Sequence, residues 1–137
     1  MKRVLLVKGF IYNEKKDDIL LVKNRDLKWA FPGGRVETDQ TLEQALISKV
    51  KQQTSVDCQI DSLLYVKERR TAWEHVCLFV YKATATGDFL TVEKDDSVFH
   101  ARWTSIPQAD DLLQEQDVAL NKLVLESGVP YILPQEN

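Results

Sequence analysis

The sequence predicts an α+β fold in which a sheet is layered between helices, an α/β/α arrangement. Three observations predict it. Apolar runs of strand length open the chain at 4–12 and 19–22. A helix with regular apolar spacing follows at 41–53. Further strand-like runs then lead to helical stretches near the end of the sequence. The order is strands, helix, strands, helix. With no internal repeat and no linker, residues 1–137 read as one domain.

Each element has its own signal. The run 4–12 and the shorter run 19–22 flank a polar turn at 13–18, the pattern of a hairpin. A charged loop, 24–28, leads to the short apolar run Trp29-Ala30-Phe31, ended by Pro32-Gly33-Gly34. Two glycines after a proline mark an unusual backbone path. The stretch 41–53 contains neither Gly nor Pro and repeats Leu42, Ala45, Leu46 and Val50 on one face, with Thr38 or Asp39 expected to cap it. A strand is expected at 60–67, then a basic, polar connection over 68–74 and a strongly apolar central strand at 76–85. Weak strand character at 89–92 lies inside a polar loop, 87–97. A strand at 98–104 contains Trp103. Helical stretches begin at Pro107 and end near Glu126, where Gly128 and Pro130 stop them.

Composition narrows the function classes. The chain has 137 residues, 44% apolar and 28% charged, which suffices for an ordinary core. A formal net charge of -3 argues against a nucleic-acid partner, which favours a basic face. A small nucleotide needs only a few local cations. Cys58 and Cys77 lack CxxC spacing, and His75 and His100 stand without metal-ligand spacing. The apolar run after Met1 stops at Lys8, too early for a secretory segment, and no stretch approaches a membrane span. The expected setting is a reducing cytoplasm, with no membrane partner.

The stretch Trp29-Ala30-Phe31-Pro32-Gly33-Gly34-Arg35-Val36-Glu37, followed at once by a helix, resembles the opening of the Nudix box. The preceding hairpin, the aromatic-rich strand after the helix and Arg102-Trp103 before the last helical part fit the same family over nearly the whole chain. The resemblance implies a mixed sheet between helices, a diphosphate compound as ligand, and magnesium held by helix glutamates. Laid from Gly34, however, the family's first Glu position falls on Gln40, its Arg-Glu pair on Ser48-Lys49, its Glu-Glu pair on Gln52-Gln53 and its Gly on Ser55. The aliphatic positions, Val50 and Val56, are kept.

The loss matters chemically. Magnesium prefers anionic oxygens in near-octahedral geometry. Positions 49, 52 and 53 share a helix face, and here they offer one ammonium and two neutral amides. An ammonium about 4 Å from that site would repel the dication by several kcal/mol at intermediate dielectric. It could instead take the cation's place and face a phosphate. At about 100° per residue, Lys49 and Gln53 fall on the side of Leu42 and Leu46, as a vestigial site requires, although the edge of an apolar stripe would also accommodate both.

Other residues are weighed on the same basis. Glu37 braces the turn or offers an oxygen to a metal. Asp95 and Asp96 form a solvated acidic loop or replace lost ligands. Arg25, Lys28 and Arg35 flank the Pro-Gly-Gly turn and could meet phosphates, as could Gly33 and Gly34 through their backbone. Trp73, between polar neighbours, is the best candidate to stack a base. Three functions follow. The first is a nucleotide-binding protein with weak or no hydrolysis. The second is a magnesium-dependent hydrolase with relocated carboxylates. The third is a non-catalytic interaction module. Magnesium is expected only if the chain is active, otherwise no cofactor. The partner is a small nucleotide or other phosphate compound, and the chain's size admits a homodimer.

Overall fold

The computed structural model describes residues 1–86, 98–114, 118–130 and 132. The expected weak strand at 89–92, with Asp95 and Asp96, lies outside the described residues.

The opening hairpin forms as β1 (Lys2–Asn13) and β2 (Asp18–Lys23). It is followed by β3 (Trp29–Ala30), β4 (Gly33–Arg35) and helix α1 (Leu42–Thr54). Then come β5 (Cys58–Arg70), β6 (Glu74–Ala85) and β7 (His100–Ser105), and the short helices α2 (Ile106–Leu112) and α3 (Leu120–Leu125). Strand β1 organises the sheet. It runs parallel to β6 from Lys2↔Glu74 to Ile11↔Ala83. Its other edge takes β4 at Leu6–Lys8 and then β2 at Tyr12 and Asn13. Strand β6 pairs antiparallel with β5, and β2 lies between β3 and β7. The sheet is therefore mixed.

Period-two alternation along β1 sends its residues to two cores. Val7 and Ile11 pack with Leu20, Tyr81 and the α1 residues Ala45, Leu46 and Val50. Phe10 packs on the other face with Ile19, Leu21, Ala109, Leu120 and Leu123, under α2 and α3. Each such fully buried large side chain contributes roughly 1.5–3 kcal/mol of transfer free energy. These two cores account for the layered arrangement that the sequence predicts.

Three local expectations are corrected. The α1 cap is Thr41, not Thr38 or Asp39. Residues 37–40 close their own turn, in which Gln40 N–H donates to the Glu37 carbonyl and Glu37 N–H donates to Gln40 Oε1. The chain becomes helical only after Thr41, whose Oγ1 accepts from Gln44 N–H while Gln44 Oε1 accepts from Thr41 N–H. The polar stretch 68–74 is largely strand. Glu68, Arg69 and Arg70 pair with Cys77, Val76 and His75, and only Thr71–Trp73 turn. Ladder bonds satisfy the backbone there, whatever the side chains prefer. The final helix is also shorter than expected. Its end is held by Lys82, which donates to the carbonyls of Val124 and Glu126, as a cation at a helix C-terminus should. Among the described residues, no helix is long and apolar enough to cross a membrane.

Candidate functional site

The Pro-Gly-Gly turn is fixed by close backbone approach. Gly33 has φ +152°, and a Cβ there would lie 2.0 Å from the Val7 carbonyl oxygen. No side chain fits. Gly33 is also tied to the helix across 20 residues of sequence: its N–H donates to Gln53 Oε1 at 3.2 Å, and Gln53 Nε2 donates to its carbonyl at 2.9 Å. Gln53 is only 8% exposed, so both ends of its amide are engaged in a shielded place. Beside it, Lys49 runs its alkyl stem over Gly34, with a Cβ at 34 falling 3.3 Å from Lys49 Cδ and Cε. The glycine at 34 leaves the room in which that stem lies.

The remaining box positions carry no acid. Ser48 and Gln52 are exposed, and the Gln40 side chain is occupied in the turn to Glu37. Glu37 contributes backbone groups to that turn while its own side chain is exposed. Ser55, at the box glycine, has φ 62° and closes α1 by donating its N–H to the Lys51 carbonyl. Among the described residues, the acid, thiol and imidazole groups do not gather at α1 in the number a metal ion needs. The donor set at this helix face, one ammonium and an amide already paired with Gly33, does not fit magnesium.

On the α2 and α3 side of the sheet lies a cleft of about 340 Å³. Lys8, Lys28 and Lys67 bring positive charge to it, and Trp29, Phe31 and Tyr65 give it aromatic walls. Asn24, Asp26 and Gln114 add polar groups. Gly33 pairs with Lys8, so the Pro-Gly-Gly turn borders both the helix face and the cleft. Burial, seconded by the charge of Lys67, holds the Lys8 ammonium below its ordinary range, and Asp26 opposes them. Chemically, a partly desolvated cation between apolar and aromatic walls suits an anion with a flat group attached. The Arg102 guanidinium sits 4.9 Å from the Trp29 ring centre, and His100 meets that ring edge-on at 5.7 Å.

The structure separates the residues that the sequence grouped. Gly33, Gly34 and Lys49 come together at the helix and turn. Arg25 and Arg35 are exposed on the loop before β3 and on β4. Trp73 is 80% exposed at the β5–β6 turn and does not line the cleft. Its polar neighbours belong to the β5–β6 turn, which lies beyond the part of the two strands that lines the cleft. Asp95 and Asp96 lie outside the described residues. Sequence reasoning missed Lys8, Lys67 and Tyr65. One signal was available for Lys8, a lone lysine inside an apolar strand, in phase with Leu6 and Phe10.

A family described as NUDIX domain matches residues 2–125. The human protein named 8-oxo-dGDP phosphatase NUDT18 is 32% identical over 98% of this chain and 44% of its own length. An ADP-ribose pyrophosphatase from Methanocaldococcus jannaschii is 32% identical over 60% of this chain and 52% of its own. The chain thus spans less than half the length of the NUDT18 proteins it matches. Among solved structures, a NUDIX hydrolase from Nitrosomonas europaea superposes with a TM-score of 0.79 at 18% identity, covering 99% of this chain and 98% of its own. The E. coli ORF135 protein gives 0.70 at 20% identity, with 91% of each chain covered.

Proposed function

The chain belongs to the Nudix family, and from that premise we propose that it binds a nucleoside diphosphate or a nucleoside-diphosphate-linked compound with weak or no hydrolysis. The observation that carries this reading is the pairing of Gln53 with Gly33 beside the stem of Lys49. It leaves the helix face without the anionic oxygens magnesium needs. The cleft with Lys8, Lys67 and Trp29 nonetheless offers cations for phosphates and rings for a base. Lys49 supplies its charge on the helix side of the same turn, where it could face a phosphate directly.

A hydrolytic reading has its own support in the names of the relatives, which are a phosphatase and a pyrophosphatase. It would require carboxylates such as Glu37, Asp95 or Asp96.

The two readings part in one experiment. ADP, dGDP, 8-oxo-dGDP and ADP-ribose are added with and without magnesium, and thermal midpoint and phosphate-containing products are followed. The expected result is a magnesium-independent rise of the midpoint with no product. The double change Lys49→Glu with Gln52→Glu, which leaves Gln53 in place, is expected to introduce a magnesium-dependent response. Metal-dependent turnover by the unmodified chain would overturn the proposal and favour hydrolysis.

A further inference from the structure

We propose that Glu68, His75 and Cys77 form a zinc-binding site on the β5–β6 hairpin, on the sheet face opposite the cleft-lining Lys67 and Leu78, with water as the fourth ligand. Glu68 lies directly opposite Cys77 in the antiparallel ladder, and His75 precedes Cys77 by two residues on the same face. His75 Nε2 is 2.6 Å from Glu68 Oε2 and 3.9 Å from Cys77 Sγ, and all three ligand atoms lie within 4.8 Å of one another. Tetrahedral zinc, with bonds of about 2.0–2.3 Å, sets its ligand atoms roughly 3.3–3.7 Å apart. Side-chain rotations of roughly 1 Å would reach that geometry, with no movement of the backbone.

The platform is firm. The ladder runs on to Arg70↔His75, and the turn beyond is closed by Thr71 Oγ1, which accepts from the N–H groups of Trp73 and Glu74. Ligands on paired strands are better fixed than ligands on loops.

The donor set selects the ion. A thiolate, an imidazole and one carboxylate suit zinc, whereas magnesium would need oxygens throughout. Binding displaces the Cys77 thiol proton to solvent and leaves His75 neutral. The thiolate and the Glu68 carboxylate then balance the dication. Arg3 and Arg70, both in register with His75, therefore flank a site of zero net charge and do not repel it. The Glu68 side chain is 65% exposed and that of His75 20%, so an ion can enter from water and keep one exchangeable position. Without a metal, His75 is left between the Glu68 carboxylate and the Cys77 sulfur.

The test uses the whole untagged chain, freed of metal by a chelator and titrated with Co²⁺ as a spectroscopic stand-in. The expected result is one cobalt per chain, with a thiolate-to-cobalt charge-transfer band that added zinc abolishes. Cys77→Ser should lose the band. Cys58→Ser should keep it, since Cys58 is buried and burial pushes its thiol up to about 11. Glu68→Gln, at an exposed position where folding is not at risk, should weaken zinc binding by at least about tenfold, the smallest loss seen even for partners outside the ligand set. Circular dichroism of the metal-free variants checks that they fold. Absence of the band in the parent, its survival in Cys77→Ser, or unchanged zinc affinity in Glu68→Gln would overturn the proposal.

Discussion

Gln53 shows how one side chain sets both stability and chemistry. Its amide donates to and accepts from Gly33, so removing it strands two backbone groups in a shielded place. Gln53→Ala is expected to destabilise the fold by roughly 1–3 kcal/mol, read as an earlier midpoint in urea. An unchanged midpoint would show that the pairing is incidental. Lys8 makes the opposite kind of contribution. Its folded-state pKa lies below its ordinary 10.5, mainly because burial penalises the charged form. Between those two values the unfolded chain binds more protons, so stability rises with pH across that window. Lys8→Met is therefore expected to raise the thermal midpoint at neutral pH. The gain should shrink as pH approaches 10.5, and ADP affinity should fall by about tenfold. A lower midpoint at neutral pH would contradict the account. The helix residues at this site were legible in the sequence, because a helical wheel places Lys49 and Gln53 beside the apolar stripe. The partner of Gln53 was not, since nothing local to position 53 points 20 residues back to Gly33.

At the scale of elements, α1 is the best specified. Its apolar spacing, the Thr41–Gln44 capping box and the left-handed Ser55 define its length. Ser55 accepts a conformation that costs a side chain free energy and glycine little. Ser55→Gly should raise stability by about 0.5–1 kcal/mol, seen as a higher thermal midpoint; a fall would mean that the hydroxyl has a further role. The β5–β6 hairpin was less legible. Arg69 and Arg70 read as a connection because strand assignment from one sequence relies on side-chain pattern, while this ladder is held by backbone pairing with distant residues. The cap was misplaced for a related reason, since the turn between Glu37 and Gln40 depends on a hydrogen bond that composition does not reveal.

Over the whole molecule, the layered α+β fold was legible because it follows from element order and from the Pro-Gly-Gly turn before a helix. The cleft was not. It is assembled from five separated parts of the chain, and strand β1 contributes Val7 to one core and Lys8 to the cleft. Only the paired sheet shows which phase of that strand faces which layer. The same long-range assembly bears on the history open to this sequence. Glutamate and glutamine differ at one atom pair, and a single nucleotide separates their codons, so a carboxylate at 53 looks one step away. In this fold that step sets an anionic oxygen against the Gly33 carbonyl, where Gln53 Nε2 now donates. The acid would be tolerated only if protonated, turned away, or met by a cation. Position 53 therefore resists a return to glutamate until a cation, the Lys49 ammonium or a bound metal, meets the new charge.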